Sequence, residues 1–174
     1  MNKKGAFETI LNFFRLLFLI VVFFSLYFLV RAFITQHIDT FETESNLLTN
    51  RIFLSKELNY YDQDIKRLYP GIIDLEKFTS QDFERNILNS IYYGKINSEA
   101  SAKITLLDID SGGEYVYEAY YNKDLYNEKK VLVEAKLIGK GSAQRLDSNF
   151  YVLIKGKDKL KRGMLKIEAI LPNI

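Results

Sequence analysis

The chain has 174 residues, 48% hydrophobic and 14% aromatic, which is too apolar for a disordered protein and enough for one domain with an appendage. Its formal net charge is +2. Setting aside the basic N-terminal stretch leaves 20 basic and 21 acidic residues with no basic stripe, so nucleic acid is not an expected partner. The sequence has no cysteine, which excludes disulfides, Cys-ligated zinc and thiol catalysis.

The first element is apolar. From Leu16 to Val30 only Ser25 and Tyr27 carry a polar side-chain group. That core spans about 22 Å as a helix, short of the roughly 30 Å hydrocarbon layer. Extended to residues 10–34 it is long enough, provided Arg15 and Arg31 snorkel to the two interfaces. A cleavable secretory peptide would need a small-x-small site, and "FLVRAFITQ" has none. A buried helix of a soluble protein would show a polar face. The stretch therefore reads as a transmembrane helix at 10–34. Lys3, Lys4 and Arg15 lie on its first flank, and Arg31 stands alone on the second before Asp39, Glu42 and Glu44. That bias puts residues 1–9 in the cytoplasm and the domain outside the cell membrane.

"KKGAFE" before this helix resembles the class III signal of archaeal type IV pilin-like proteins. The resemblance covers about 30 residues and implies a cut after Gly5, a mature terminus at Ala6 and retention of the helix. The family places Glu at the fifth mature position; here Ile10 stands there and Glu8 is third. Segments such as "RLYPGIIDLEKF" and "FYVLIK" are similar to uncharacterised single-pass proteins of small-genome archaea. Glu8 and Arg15 are seven residues apart, two helical turns, so they share a face about 10 Å apart along the axis. As assembly residues they would pair between neighbouring subunits; otherwise both lie among lipid head groups.

No Pro or Gly occurs between Ala6 and Tyr69. Ile34, Ile38, Phe41, Ser45, Leu48 and Ile52 form an apolar stripe at helical spacing, so the spanning helix is expected to continue as a stem at 35–56 that packs on the domain at 57–174. Tyr60, Tyr61, Leu68 and Tyr69 flank a polar Asp62–Arg67 connector and predict a short hairpin. Pro70-Gly71 predicts a type II turn. Thr79 or Ser80 caps a helix to about Ile91, with Phe83, Ile87 and Ile91 four apart and Gly94 closing it.

Beyond Ala102 the pattern becomes strand-like in "AKITLLDI", "EYVYEAYY", "KKVLVEAKLIG", "NFYVLIKG" and "GMLKIEAIL", with short polar connectors between them. The expected fold is α+β, a long N-terminal helix on an antiparallel sheet of four or five strands, which matches the stem-and-globe layout of pilins.

Chemistry is sparse. His37 is the sole histidine and reads as interfacial. The metalloprotease, serine-hydrolase and phosphate-loop patterns are absent, and "GKGSA" at Gly139–Ala143 reads as a connector. Asp108, Asp110 and Glu114 around two glycines give a composition that calcium loops use, without the twelve-residue spacing, and Asp-Ser-Gly-Gly is ordinary turn chemistry. "GKDKLKR" at Gly156–Arg162 reads as a solvated hairpin tip. Tyr pairs at 60/61, 92/93 and 120/121 would send one ring to each side of a sheet. No catalytic residue, metal or cofactor is expected. The sequence points to a non-enzymatic, membrane-anchored extracytoplasmic structural or interaction protein: a pilin-like, minor-pilin subunit, or a solitary single-pass receptor or adhesin. Its expected partners are the lipid bilayer and like subunits or other surface proteins.

Overall fold

The computed structural model describes residues 3–35, 41–91, 99–112, 115–137, 141–157 and 159–172. The chain divides into two compact units, 1–39 and 40–174.

The first unit is helix α1 (Lys3–Thr35). Within it Asn12–Ala32 is long and apolar enough to cross a membrane, 21 residues or about 31 Å. Its side chains are exposed on every face, with only Val22 half-buried. A helix that is apolar all round and uncovered by protein has lipid as its matching solvent. His37 and the stripe residue Ile38 fall outside the described residues, as does the side chain of Ile34.

The second unit begins with α2 (Phe41–Phe53), so the lower part of the expected stem belongs to the domain. Ser45, Leu48 and Ile52 of the expected stripe are buried, and Thr49 beside them is buried as well. Among the described residues the Ser45 and Thr49 hydroxyls have no hydrogen-bond partner. The remaining elements are β1 (Asn59–Asp62), β2 (Arg67–Asp74), α3 (Leu75–Phe78), α4 (Phe83–Ser90), β3 (Ser101–Asp108), β4 (Val116–Tyr121), α5 (Lys123–Glu134), β5 (Ala143–Lys155) and β6 (Leu160–Pro172).

The α+β class is as expected, but the sheet has six strands rather than four or five, in the order β1-β2-β5-β6-β3-β4. It is mixed: β2 runs parallel to β5, and the other neighbours are antiparallel. The parallel pair arises because β1–β2, the expected hairpin, joins the sheet beside a strand made much later in the chain. Pro70-Gly71 is not a turn between elements. It lies inside β2, where Gly71 takes φ +84° and donates its N–H to Asn59 Oδ1 at 2.9 Å. The first half of the strand expected at 129–139 is instead helical: Lys129–Glu134 belong to α5 and Ala135 caps it, while Ile138 and Gly139 lie outside the described residues. Asn122, left-handed at φ 57°, sets the helix start, and Tyr126, Lys129, Leu132 and Val133 share its inward side. "GKGSA" therefore leads from a helix into β5 rather than joining two strands. The helix expected from Thr79 or Ser80 begins later, at Phe83 after Asp82, and buries Phe83 and Ile87 as the spacing requires.

Alternation gives the sheet two faces. One carries Ala102, Ile104, Leu106, Ala119, Tyr121, Val152, Ile154, Leu165, Ile167, Ala169 and Leu171, which form one core with Leu48, Ile52, Phe78, Phe83 and Ile87 from α2, α3 and α4. Among the described residues the other is covered where Tyr126 of α5 meets Ala143 and Ile170. This second face positions the candidate surface.

Candidate interaction surface

Along the strands, the second face falls into three bands. The first lies beneath α5. The second is a charged lattice: Lys103 pairs with Glu118 at 2.6 Å, Lys166 with Glu168 at 2.8 Å and Arg145 with Asp147 at 3.2 Å. Tyr126 Oη donates to Glu168 Oε2 at 2.9 Å. Burial raises the Tyr126 hydroxyl well above 10, reinforced by the adjoining Glu168. Burial would also raise Glu168, but hydrogen bonds from Lys166 and Tyr126 outweigh it and hold the carboxyl below its usual range. The hydrogen bond to Glu118 raises Lys103 against the effect of its own burial. These groups are mutually satisfied and leave no unpaired acid or base aimed at a cavity.

The lattice has a testable pH signature. Tyr126→Phe is expected to cost about 1–2 kcal/mol of stability near neutral pH by removing a donor to a charged acceptor. Because the folded state keeps Tyr126 protonated past its ordinary 10.0, its contribution is full below that pH and is lost as pH rises towards the folded-state value. Urea melts at pH 7 and pH 10–11 should therefore show the gap between wild type and Tyr126→Phe narrowing in alkali. Glu168 has the opposite sign: its contribution is present above its ordinary 4.5 and is lost as pH falls through the depressed value.

The third band is apolar and uncovered. Cross-strand register places Tyr151, Met164, Leu107 and Val116 in one row, and Ile72, Leu153 and Arg162 in the next. Tyr151 is 87% exposed, Val116 49% and Leu153 40%, so these apolar strand residues face solvent. Beside Tyr151 a cleft of about 640 Å³ opens, lined by Pro70, Gly71, Ile72, Ile109, Tyr151 and Leu153. Its cause is local. β2 pairs with β5 only at Ile72–Asp74, and above that Gly71 bends the strand while Pro70 has no N–H to offer. From Ala143 to Val152, β5 has no strand on its outer side among the described residues.

The acidic cluster singled out in the sequence is brought together, but with cations. Asp108 is buried and accepts from Lys161 Nζ at 2.7 Å and from the Ser111 N–H at 3.1 Å. Asp110 accepts from the Arg162 backbone N–H at 2.7 Å and from its Nε at 2.8 Å. These backbone and side-chain bonds from Arg162 hold the Asp110 carboxyl below its usual range, and the Asp108 bond raises Lys161. Glu114 lies outside the described residues. Among the described residues no three metal-ligating side chains converge. The pairing ties the β3–β4 connector to β6, and Gly156 N–H donating to Lys159 O closes the basic β5–β6 hairpin.

Gly5 and Ala6 lie on α1, as do Glu8 and Arg15; of these only the Arg15 side chain is described, and it is exposed. Tyr121 is fully buried on the first face and Tyr120 half-buried on the second, the split expected of a strand pair, while Tyr92 and Tyr93 are outside the described residues. Tyr60 stacks on Tyr69 at 5.9 Å with Lys155 over its ring. Sequence reasoning missed Tyr151 and Leu153 as a surface because they alternate with the buried Val152 and Ile154 in one apolar run. Comparison with protein families, curated proteins and solved structures finds nothing that this chain matches.

Proposed function

We propose that this chain is a membrane-anchored extracytoplasmic structural or interaction protein. The observation that carries the reading is α1, whose 12–32 stretch is apolar all round and exposed, a surface that only lipid satisfies. The basic residues on its first flank favour a cytoplasmic N-terminus and a domain displayed outside. The domain's uncovered apolar band and cleft supply the contact surface, since monomeric domains seldom leave such rows in water without use. The pilin-like form of this reading rests on Lys3-Lys4-Gly5-Ala6, with cleavage after Gly5 and assembly through Glu8 and Arg15.

Alkaline washing is expected to leave the full chain in the membrane fraction, and deletion of 12–32 to release it. Protease added outside sealed cells should remove 40–174. Intact mass of the membrane-extracted protein reads the finer point, because a chain beginning at Ala6 supports the pilin-like form and one retaining Met1–Gly5 removes it. A domain that external protease cannot reach overturns the topology.

A further inference from the structure

We propose that the open edge of β5 pairs antiparallel with the same edge of a second copy of this chain, with Arg145 opposite Asp147 of the second copy. The proposal rests on reading the domain as an interaction module and names its partner. The hydrogen-bond phase of the sheet fixes which groups the edge offers. The Ile109 N–H donates to Arg162 O, so Arg162, Met164, Lys166 and Glu168 bond towards β3, and their alternates Gly163, Leu165, Ile167 and Ala169 bond towards β5. Val152, Phe150, Ser148 and Leu146 are the β5 residues opposite those alternates. The N–H and C=O groups of Ala143, Arg145, Asp147, Asn149 and Tyr151 therefore point outward, where no described strand receives them.

Charged side chains, a proline or a bulge blunt a strand edge, and charges keep two copies apart when like meets like. This edge carries opposite charges two residues apart, Arg145 and Asp147, on the same face. In an antiparallel pair that pattern is complementary to itself. With the twofold axis at Leu146, each Arg145 meets an Asp147 of the second copy, so the 3.2 Å pair the two side chains make within one chain is exchanged for two pairs across the axis, and both residues belong to the outward hydrogen-bonding set. On the opposite face the half-buried Leu146 meets its own copy. Sliding by one pairing step either way puts Asp147 on Asp147 or Arg145 on Arg145, so charge selects the central register. Towards the cleft where β2 turns away, the second copy presents its smallest residues, Gly141, Ser142 and Ala143. The product is isologous, a closed pair sharing one continuous sheet.

The absence of cysteine makes the test direct. In the full chain reconstituted in nanodiscs or detergent, Leu146→Cys places a single thiol at the axis. There, opposed non-hydrogen-bonded residues lie about 4.5 Å apart between Cα atoms, within disulfide reach. Mild oxidation should give a covalent dimer for Leu146→Cys and not for Ser148→Cys, whose opposite residue is Gln144. Asp147→Arg in the Leu146→Cys background should cut the linked fraction about tenfold by setting Arg against Arg, and adding Arg145→Asp should restore it. The proposal is overturned if Leu146→Cys stays monomeric, if Ser148→Cys links equally well, or if the charge swap fails to restore linkage in a chain whose urea melt is intact. Failure of the membrane reading shows separately, as release of the chain from the alkali-washed membrane fraction.

Discussion

Gly163→Val should unfold the domain at markedly lower urea than wild type, with a loss of about 3 kcal/mol. Gly163 sits in β6 between β3 and β5, opposite Asp108 on one side and Val152 on the other. A Cβ built there would lie 2.6 Å from Ile154 Cδ1, 2.7 Å from Ile154 Cγ1 and 2.9 Å from the Leu107 carbonyl oxygen. Ile154 is only 1% exposed and has little room to turn away, and the carbonyl belongs to a paired strand. The new atoms must therefore push side chain and backbone together. With a denaturant slope of about 2 kcal/mol per molar, the midpoint should fall by roughly 1.5 M urea. Ile154→Val removes the nearest methyl and should return part of the loss in the double variant. A Gly163→Val midpoint within experimental error of wild type would contradict the packing of β6 against β5.

The second large effect concerns where the domain begins. A chain of residues 57–174 should show no cooperative unfolding transition, whereas 40–174 should melt in one. α2 contributes Leu48 and Ile52, both fully buried, and Phe53 stacks on Phe150 with ring centroids 4.4 Å apart. Burying three such side chains supplies about 6 kcal/mol, comparable with the whole stability of a small domain. Removing the helix also bares part of the β5 and β6 face on which it packs. It further strips Asn59, whose amide donates to Phe53 O and Ser55 O while its oxygen accepts from Gly71, the residue that bends β2. A cooperative melt of 57–174 by circular dichroism would show that α2 is an accessory.

What was legible in the sequence follows how much each segment is decided by its own pattern. The apolar run of α1, the Phe41–Ile52 stripe and the Tyr60–Tyr69 hairpin are local signals, and they stand where the residues placed them. β3, β4 and β6 show strong runs or alternation because their first face is buried. The C-terminal half of α5 looks like a strand in sequence because Val131, Leu132 and Val133 favour strands, while its actual support, Tyr126 packed on Ile170 and bonded to Glu168, is tertiary. The first half of β5, up to Ser148, has the look of a connector because Gln144, Arg145 and Asp147 are polar and exposed. The same polarity that hid the strand makes its edge a candidate for self-pairing. The apolar band was not visible in advance, since alternation shows that a strand has two sides and not which of them a helix covers.

The parallel contact of β2 with β5 has a consequence for how the chain comes into being. Ile72 and Leu153 are 81 positions apart, and β6 starts more than a hundred residues after α2 ends. At about 5–20 residues per second, β2 waits roughly 4–16 seconds for its neighbour, with the greasy side of α2 unprotected throughout. Maturation of the domain is thus held until β6 has been made, and a ribosome that stalls before β6 leaves a sticky intermediate with nothing to fold upon.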